Sequence, residues 1–130
     1  MSDIKNIIFD LGGVILNLNY QATTDAFEKL GVKNFENLYN QKEQTELFNN
    51  FEKGLISTEK FISQLQQTTA LSKKQIINAW NAMLLDLPKE RLEFILSLKS
   101  NYNTFLLSNT NEIHIECFES QLSKKNHLSL

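Results

Sequence analysis

Hydrophobic and polar positions change rhythm along this chain in a way that separates two strands from a block of helices. Asn6-Ile7-Ile8-Phe9 runs into Asp10, then Leu11-Gly12-Gly13, then a second apolar run, Val14-Ile15-Leu16. A short unbroken apolar run that ends in turn residues predicts a strand buried on both faces, as in parallel sheets. From residue 20 the period becomes helical. Ala22, Ala26, Phe27 and Leu30 share a face, and Gly31 is a natural stop. Phe35, Leu38 and Tyr39 mark a short segment, and Leu47, Phe48 and Phe51 a helix that ends at Gly54. Ser57 suits the N-cap of a helix with Phe61, Ile62 and Leu65. Ser72 and Gln75 match a capping box that opens a helix with Ile76, Ile77, Trp80, Met83 and Leu84. Residues 20–85 therefore read as a helical insertion, with Phe48, Phe51 and Trp80 packing its interior.

Pro88 fits the first turn of a further helix, which carries Leu92, Ile95, Leu96 and Leu98. A second strand is predicted at Thr104-Phe105-Leu106-Leu107. It leads into Ser108-Asn109-Thr110-Asn111 and then a helix with Ile113, Ile115 and Phe118. The fold class expected is α/β. In a parallel sheet the loops at the carboxyl ends of the strands lie together, and ligands bind there. Asp10 from one loop would then face Ser108 and Asn109 from the other. A helix opening after Ser108, with that serine as its cap, would favour an anion.

Asp10 is the only charged side chain between Asn6 and Thr24. An unpaired carboxylate is costly to bury, so its partner must come from elsewhere in the fold or from a ligand. The alternative is an aspartate that merely ends a strand and caps a turn. With 130 residues the chain is long enough for one packed domain. A net charge of −2, a single arginine (Arg91) and no basic run longer than two residues argue against a nucleic-acid surface. The single cysteine, Cys117, fits a reducing, cytoplasmic setting, and His114 three residues before it is a weak case for an activated thiol. His114 and His127 read as surface helix residues. No signal peptide or membrane-spanning apolar run is present, so no membrane partner is expected.

The stretch from Phe9 to Ile15, Phe-Asp-Leu-Gly-Gly-Val-Ile, resembles the first motif of the haloacid dehalogenase (HAD) superfamily of hydrolases, and Leu106 to Asn111 resembles its second. The helical block between them is similar to the family's cap, including Glu52-Lys53-Gly54-Leu55-Ile56-Ser57. The nearest subgroup is that of bacterial sugar-phosphate phosphatases related to α-glucose-1-phosphatase. The resemblance implies the N-terminal part of a Rossmann-like core, residues 1–19 and 86–130, with a cap at 20–85 inserted after the first strand. It further implies Mg²⁺-dependent hydrolysis of a small phosphorylated substrate through an aspartyl-phosphate. Asp10 would be nucleophile and metal ligand, and the Gly12 carbonyl a second ligand. Leu11, Ser108 and Asn109 would hold the phosphoryl oxygens.

Two departures from the family pattern stand out. Gly12 replaces the usual second aspartate and has no proton to give, which leaves slow turnover, a good leaving group or a donor from elsewhere. After Asn109, Lys124, Lys125, Glu112, Glu116 and Glu119 do not resemble the family's later lysine and acidic motifs. The chain is therefore expected to be truncated after the second motif, to be inactive by itself and to self-associate through an exposed sheet edge. Attack of the same aspartate on carbon, as in dehalogenation, and a non-catalytic fold that binds a partner remain as alternatives.

Overall fold

The computed structural model describes residues 3–39 and 45–126. In chain order its elements are β1 (Asn6–Phe9), α1 (Tyr20–Lys29), a 3₁₀ turn (Phe35–Asn37), α2 (Glu46–Glu52), α3 (Thr58–Thr69), α4 (Lys73–Asn81), α5 (Lys89–Leu98), β2 (Asn103–Leu106) and α6 (Glu112–Asn126). They form two compact units, Met1–Leu18 with Leu84–Asn109, and Asn19–Met83 with Thr110–Leu130. The sequence reading instead puts α6 in the strand-bearing part, at 86–130.

In the first unit β1 and β2 pair in parallel, with Asn6, Ile7, Ile8 and Phe9 opposite Asn103, Thr104, Phe105 and Leu106. The ladder runs one step further, since the Leu107 N–H donates to the Phe9 carbonyl at 2.8 Å. The α5 helix packs against β2. The expectation of a strand buried on both faces fails here. Ile8 is 64% exposed and its partner Phe105 53% exposed, while the alternate residues Ile7, Phe9 and Thr104 are half-buried. Period-two geometry puts Ile8 and Phe105 on one face, and the described residues of the unit offer two strands and α5 with which to cover two faces.

The helical unit has a continuous aromatic interior. Phe27 stacks on Phe35 with ring centroids 4.1 Å apart, and Phe51 on Phe61 at the same distance. Trp80, fully buried, lies against Tyr39, Phe48 and Phe61. Phe27, Phe48, Phe51, Phe61 and Trp80 sit at the apolar positions of α1 to α4, where the helical period positions them, and Phe35 in the 3₁₀ turn and Tyr39 just after it complete the cluster. Caps fix where the helices start. The Ser57 side chain accepts from the Lys60 N–H, and Ser72 with Gln75 completes both halves of the capping box. Thr23 Oγ1 donates to the Trp80 carbonyl and accepts from the Met83 N–H, both at 3.0 Å, which ties α1 to the end of α4.

Helix α6 starts later than expected and belongs to this unit. Its cap is Asn111, not Ser108. Asn111 Oδ1 accepts from the His114 N–H at 3.0 Å and from Trp80 Nε1 at 3.3 Å. His114 is a second correction, since it is only 7% exposed. It stacks on Trp80 at 4.6 Å, and its Nδ1 lies 2.9 Å from Asn81 Oδ1. Ile113, Phe118 and Leu122 are buried along the same helix. An apolar α6 stripe with a tryptophan to cover is why this helix joins the aromatic core. His127 lies outside the described residues. Among those described, no helix is long and apolar enough to cross a membrane.

Burial pushes His114 down to about 3, so the folded protein keeps it neutral. The unfolded chain takes up that proton below about pH 6.5, so falling pH favours unfolding. Stability should be complete above pH 6.5 and decline toward pH 3 by at most about 1.4 kcal/mol per pH unit from this group. Urea unfolding between pH 4 and 7 should show this slope, and His114→Gln should flatten it. In the same assay Phe61→Ala is expected to cost about 3–5 kcal/mol and Phe105→Ala well under half of that.

Candidate functional site

Asp10 follows the last residue of β1, and Ser108 and Asn109 lie two and three residues beyond the end of β2. Because the strands are parallel and in register to Phe9 and Leu106, both loops leave the same end of the sheet. Adjacent strands are about 4.8 Å apart, so this pairing brings Asp10 and Ser108–Asn109 to neighbouring positions within one unit.

The first loop is held by its own backbone. The Leu11 carbonyl accepts from the N–H groups of Val14, Ile15 and Leu16, and the Leu16 carbonyl accepts from Gly13 at 2.7 Å. Leu11, Ile15 and Leu16 are buried, which anchors the turn, while Val14 points outward. Gly13 has φ +78°, a conformation that costs an L-residue roughly 1–2 kcal/mol. At Gly12 a Cβ would lie 2.6 Å from Leu18 Cδ1, the movable end of that side chain. Any side chain at position 12 therefore needs Leu18 to move. The sequence carries no signal of this contact, because it depends on how the turn folds back.

Asp10 itself is exposed, so the cost of burying a lone carboxylate is not what its setting expresses. Its Oδ1 accepts the Leu11 N–H at 2.7 Å, the turn-capping role open to any aspartate at a strand end. That bond occupies the N–H expected on a phosphoryl oxygen. The Gly12 carbonyl accepts no hydrogen bond among the described residues, and the N–H groups of Ser108 and Asn109 donate none. Ser108 is half-buried and Asn109 exposed. The loops thus present one carboxylate, one free carbonyl, a hydroxyl and two free N–H groups. This is a hard-oxygen pair beside a set of anion donors.

Other candidates are placed elsewhere. Cys117 is half-buried on α6, and burial pushes its thiol pKa up, away from the reactive thiolate. Asn111 is buried as the α6 cap, and its Nδ2 has no hydrogen-bond partner among the described residues. Glu112 accepts from Thr58 Oγ1, and Glu116 and Glu119 are exposed. Among the described residues no group of three or more His, Cys, Asp or Glu could hold a metal ion.

No family model matches the chain. It is 34% identical over 110 residues to D-ribitol-5-phosphate phosphatase of Bacteroides thetaiotaomicron, a match that covers 83% of this chain and 53% of that protein. A HAD family enzyme from the same organism, solved as a magnesium complex, superimposes with a TM-score of 0.89 at 34% identity. That match covers 98% of this chain and 63% of the other. A solved complex of the wild-type HAD family enzyme with magnesium and inorganic phosphate gives 0.79 at 37% identity, over 95% of this chain and 59% of that one. A predicted HAD-like family hydrolase of Porphyromonas gingivalis gives 0.86 at 32% identity, over 99% of this chain and 62% of its own. The chain thus spans about half the length of the curated relative and about three fifths of the solved ones. Over 95–99% of its length the chain is thus similar in sequence and fold to solved proteins of the HAD family.

Proposed function

We propose that this chain carries the nucleophile and the phosphate-binding loops of a Mg²⁺-dependent phosphatase for a small phosphorylated metabolite such as a sugar phosphate. The observation that carries this reading is the in-register parallel pairing that sets Asp10 beside Ser108 and Asn109. The names of the relatives support it, one a pentitol phosphate phosphatase and others solved with magnesium or with magnesium and phosphate.

In this reading a carboxylate oxygen of Asp10 forms a bond to phosphorus as the ester P–O bond breaks. The alcohol leaves with that electron pair and takes a proton from water. Water then attacks the aspartyl-phosphate, the P–O bond to Asp10 breaks, and inorganic phosphate and the free carboxylate result. Ser108 Oγ and the N–H groups of Ser108 and Asn109 hold the phosphoryl oxygens, while Leu11 N–H first releases Asp10 Oδ1 and then joins them. Such donors act by being in place before charge develops. Gly12 gives no proton.

The oxygen donors fit Mg²⁺, since that ion is bound by one or two carboxylates with substrate phosphate and waters completing its shell. Asp10 and the Gly12 carbonyl would hold it, and it would neutralise charge on the phosphoryl group. Residues 1–19 and the strand-bearing part of 86–130, up to Asn109, serve as the core in this scheme, and 20–85 as the inserted cap, with α6 in the helical unit. The single cysteine supports a cytoplasmic setting.

The test is hydrolysis of p-nitrophenyl phosphate by the full gene product with and without Mg²⁺. Asp10→Asn should lower kcat by at least about 10³-fold. Ser108→Ala should lower kcat/KM by roughly 10–100-fold, the value of a hydrogen bond to a charged group. Equal rates for Asp10→Asn and wild type would sink the assignment, and turnover of haloacids without Mg²⁺ would redirect it to attack on carbon. The 130 residues alone should be inactive.

Self-association through the sheet is part of the same proposal. Ile8, Phe105 and Leu107 are all more than half exposed, and a two-stranded sheet has open edges. Sedimentation equilibrium on the 130 residues should give a mass that rises with concentration, and Phe105→Lys should lower it. A wild-type chain that stays monomeric at high concentration counts against this.

A further inference from the structure

The loop that carries Asp10 is held at both ends, and its far end has a device of its own. The closed turn from Leu11 to Leu16 is followed by Asn17, a half-buried residue bonded through backbone and side chain alike. Its N–H donates to the Asp86 carbonyl at 3.0 Å, and its carbonyl accepts from the Leu85 N–H at 2.9 Å. Its side-chain Nδ2 donates to Asp86 Oδ1 at 2.9 Å, and its Oδ1 accepts from Arg91 Nη1 at 2.9 Å. All of these residues belong to the strand unit.

The two side-chain partners fix which way the amide points. A guanidinium only donates and an ionised carboxylate only accepts, so the oxygen must face Arg91 and the nitrogen Asp86. Both bonds are charge-assisted, and Arg91 is the chain's only arginine. An alanine at this position would lose both bonds. An aspartate would keep the bond from Arg91 but set two carboxylates against each other. Arg91 stands in the first turn of α5, which packs on β2, and β2 in turn holds β1 in register. The loop is thus bound at its start to one strand and at its end, through Asn17, to a helix seated on the other.

Between these anchors the turn is a closed piece. The Leu16 N–H donates to the Leu11 carbonyl at 3.0 Å, the Gly13 N–H donates to the Leu16 carbonyl at 2.7 Å, and Leu16 leads directly into Asn17. We propose that Asn17, clamped between Asp86 and Arg91, is a positioning residue for the nucleophile loop. It fixes the Leu11–Leu16 turn and, through it, the Asp10 carboxylate. This inference rests on the role proposed for Asp10. A misplacement of about 1 Å at a reacting group can cost on the order of 10²-fold in rate. Ser108 and Asn109 lie on the other loop, so phosphate binding does not pass through the clasp.

The first readout is hydrolysis of p-nitrophenyl phosphate with Mg²⁺ by the full gene product. Asn17→Ala and Asn17→Asp should each lower kcat by on the order of 10–100-fold and leave KM within about twofold. Adding Asp86→Asn to Asn17→Asp rebuilds the clasp with the amide on the other side, because the new carboxylate accepts from both Arg91 and that amide. Most of the lost kcat should then return. The second readout is amide exchange in the 130-residue chain, which needs no substrate. Exchange at Gly13 and Leu16 should accelerate by about 10-fold in both single variants and return to the wild-type rate in the double one. Fluorescence of the buried Trp80 should not change in any of them. Should Asn17→Ala fail to fold, Asn17→Asp and its double variant carry the test. Wild-type exchange at Gly13 and Leu16 in the single variants overturns the proposal. So does a kcat within about twofold of wild type in those variants, or a double variant as slow as Asn17→Asp. A wild type without Asp10-dependent turnover overturns the reading of Asp10 instead, and exchange at Gly13 and Leu16 then decides the clasp alone.

Discussion

Everything that gives this chain a site depends on one parallel pairing between strands almost a hundred residues apart in sequence. Asn6–Phe9 and Asn103–Leu106 share a register that ends at Phe9 and Leu106 and is extended by the bond from Leu107 to Phe9. A one-residue slip would turn every side chain of the strand over and change the loop residues that meet. Parallel strands cannot be joined by a tight turn, so the chain must travel a long way between them. The helical block is what it builds on that journey.

The two units are stabilised in different ways, and the contrast follows from composition. The helical unit buries Phe27, Phe35, Phe48, Phe61 and Trp80 almost completely and caps α3 and α4 with serines. Its stability comes from aromatic area removed from water together with helices started at defined residues. The strand unit leaves Ile4, Ile8, Phe94, Phe105 and Leu107 more than half exposed. An isolated two-stranded sheet is marginal in water, so local devices carry more of the order there. The Leu11–Leu16 turn satisfies its own backbone, and the Asn17 clasp fixes the far end of the same loop.

Much of this was readable from the chain, for reasons that differ by element. The capping box at Ser72 and the cap at Ser57 are local hydrogen-bond patterns, and local patterns survive tertiary context. Helical spacing of Phe and Leu likewise marks which faces must be buried. What the sequence could not convey was non-local. Ser108 and Asn111 are both good capping residues, four positions and one position before α6, and the bonds from the His114 N–H and Trp80 Nε1 to Asn111 distinguish them. His114 is buried against the same Trp80 ring, although nothing in its sequence neighbours separates a buried histidine from a surface one. The alternation of exposure along β1 depends on how many strands and helices are present to cover it, a property no four-residue run contains.

Asp10 shows how the structure can remove the premise on which a site residue was singled out. A lone carboxylate in an apolar stretch suggested a burial cost that demanded a partner, yet the side chain is exposed and accepts the N–H of the next residue. The chemical case therefore rests on arrangement rather than on electrostatic distress. The bond to Leu11 holds one carboxylate oxygen and aims the other outward. In the same loop the Gly12 carbonyl accepts no hydrogen bond among the described residues. For the role proposed for Asp10 a fixed position matters most, because positioning and charge neutralisation dominate phosphoryl transfer. The turn from Leu11 to Leu16 supplies that fixity, and the register of β1 with β2 decides which loop it faces.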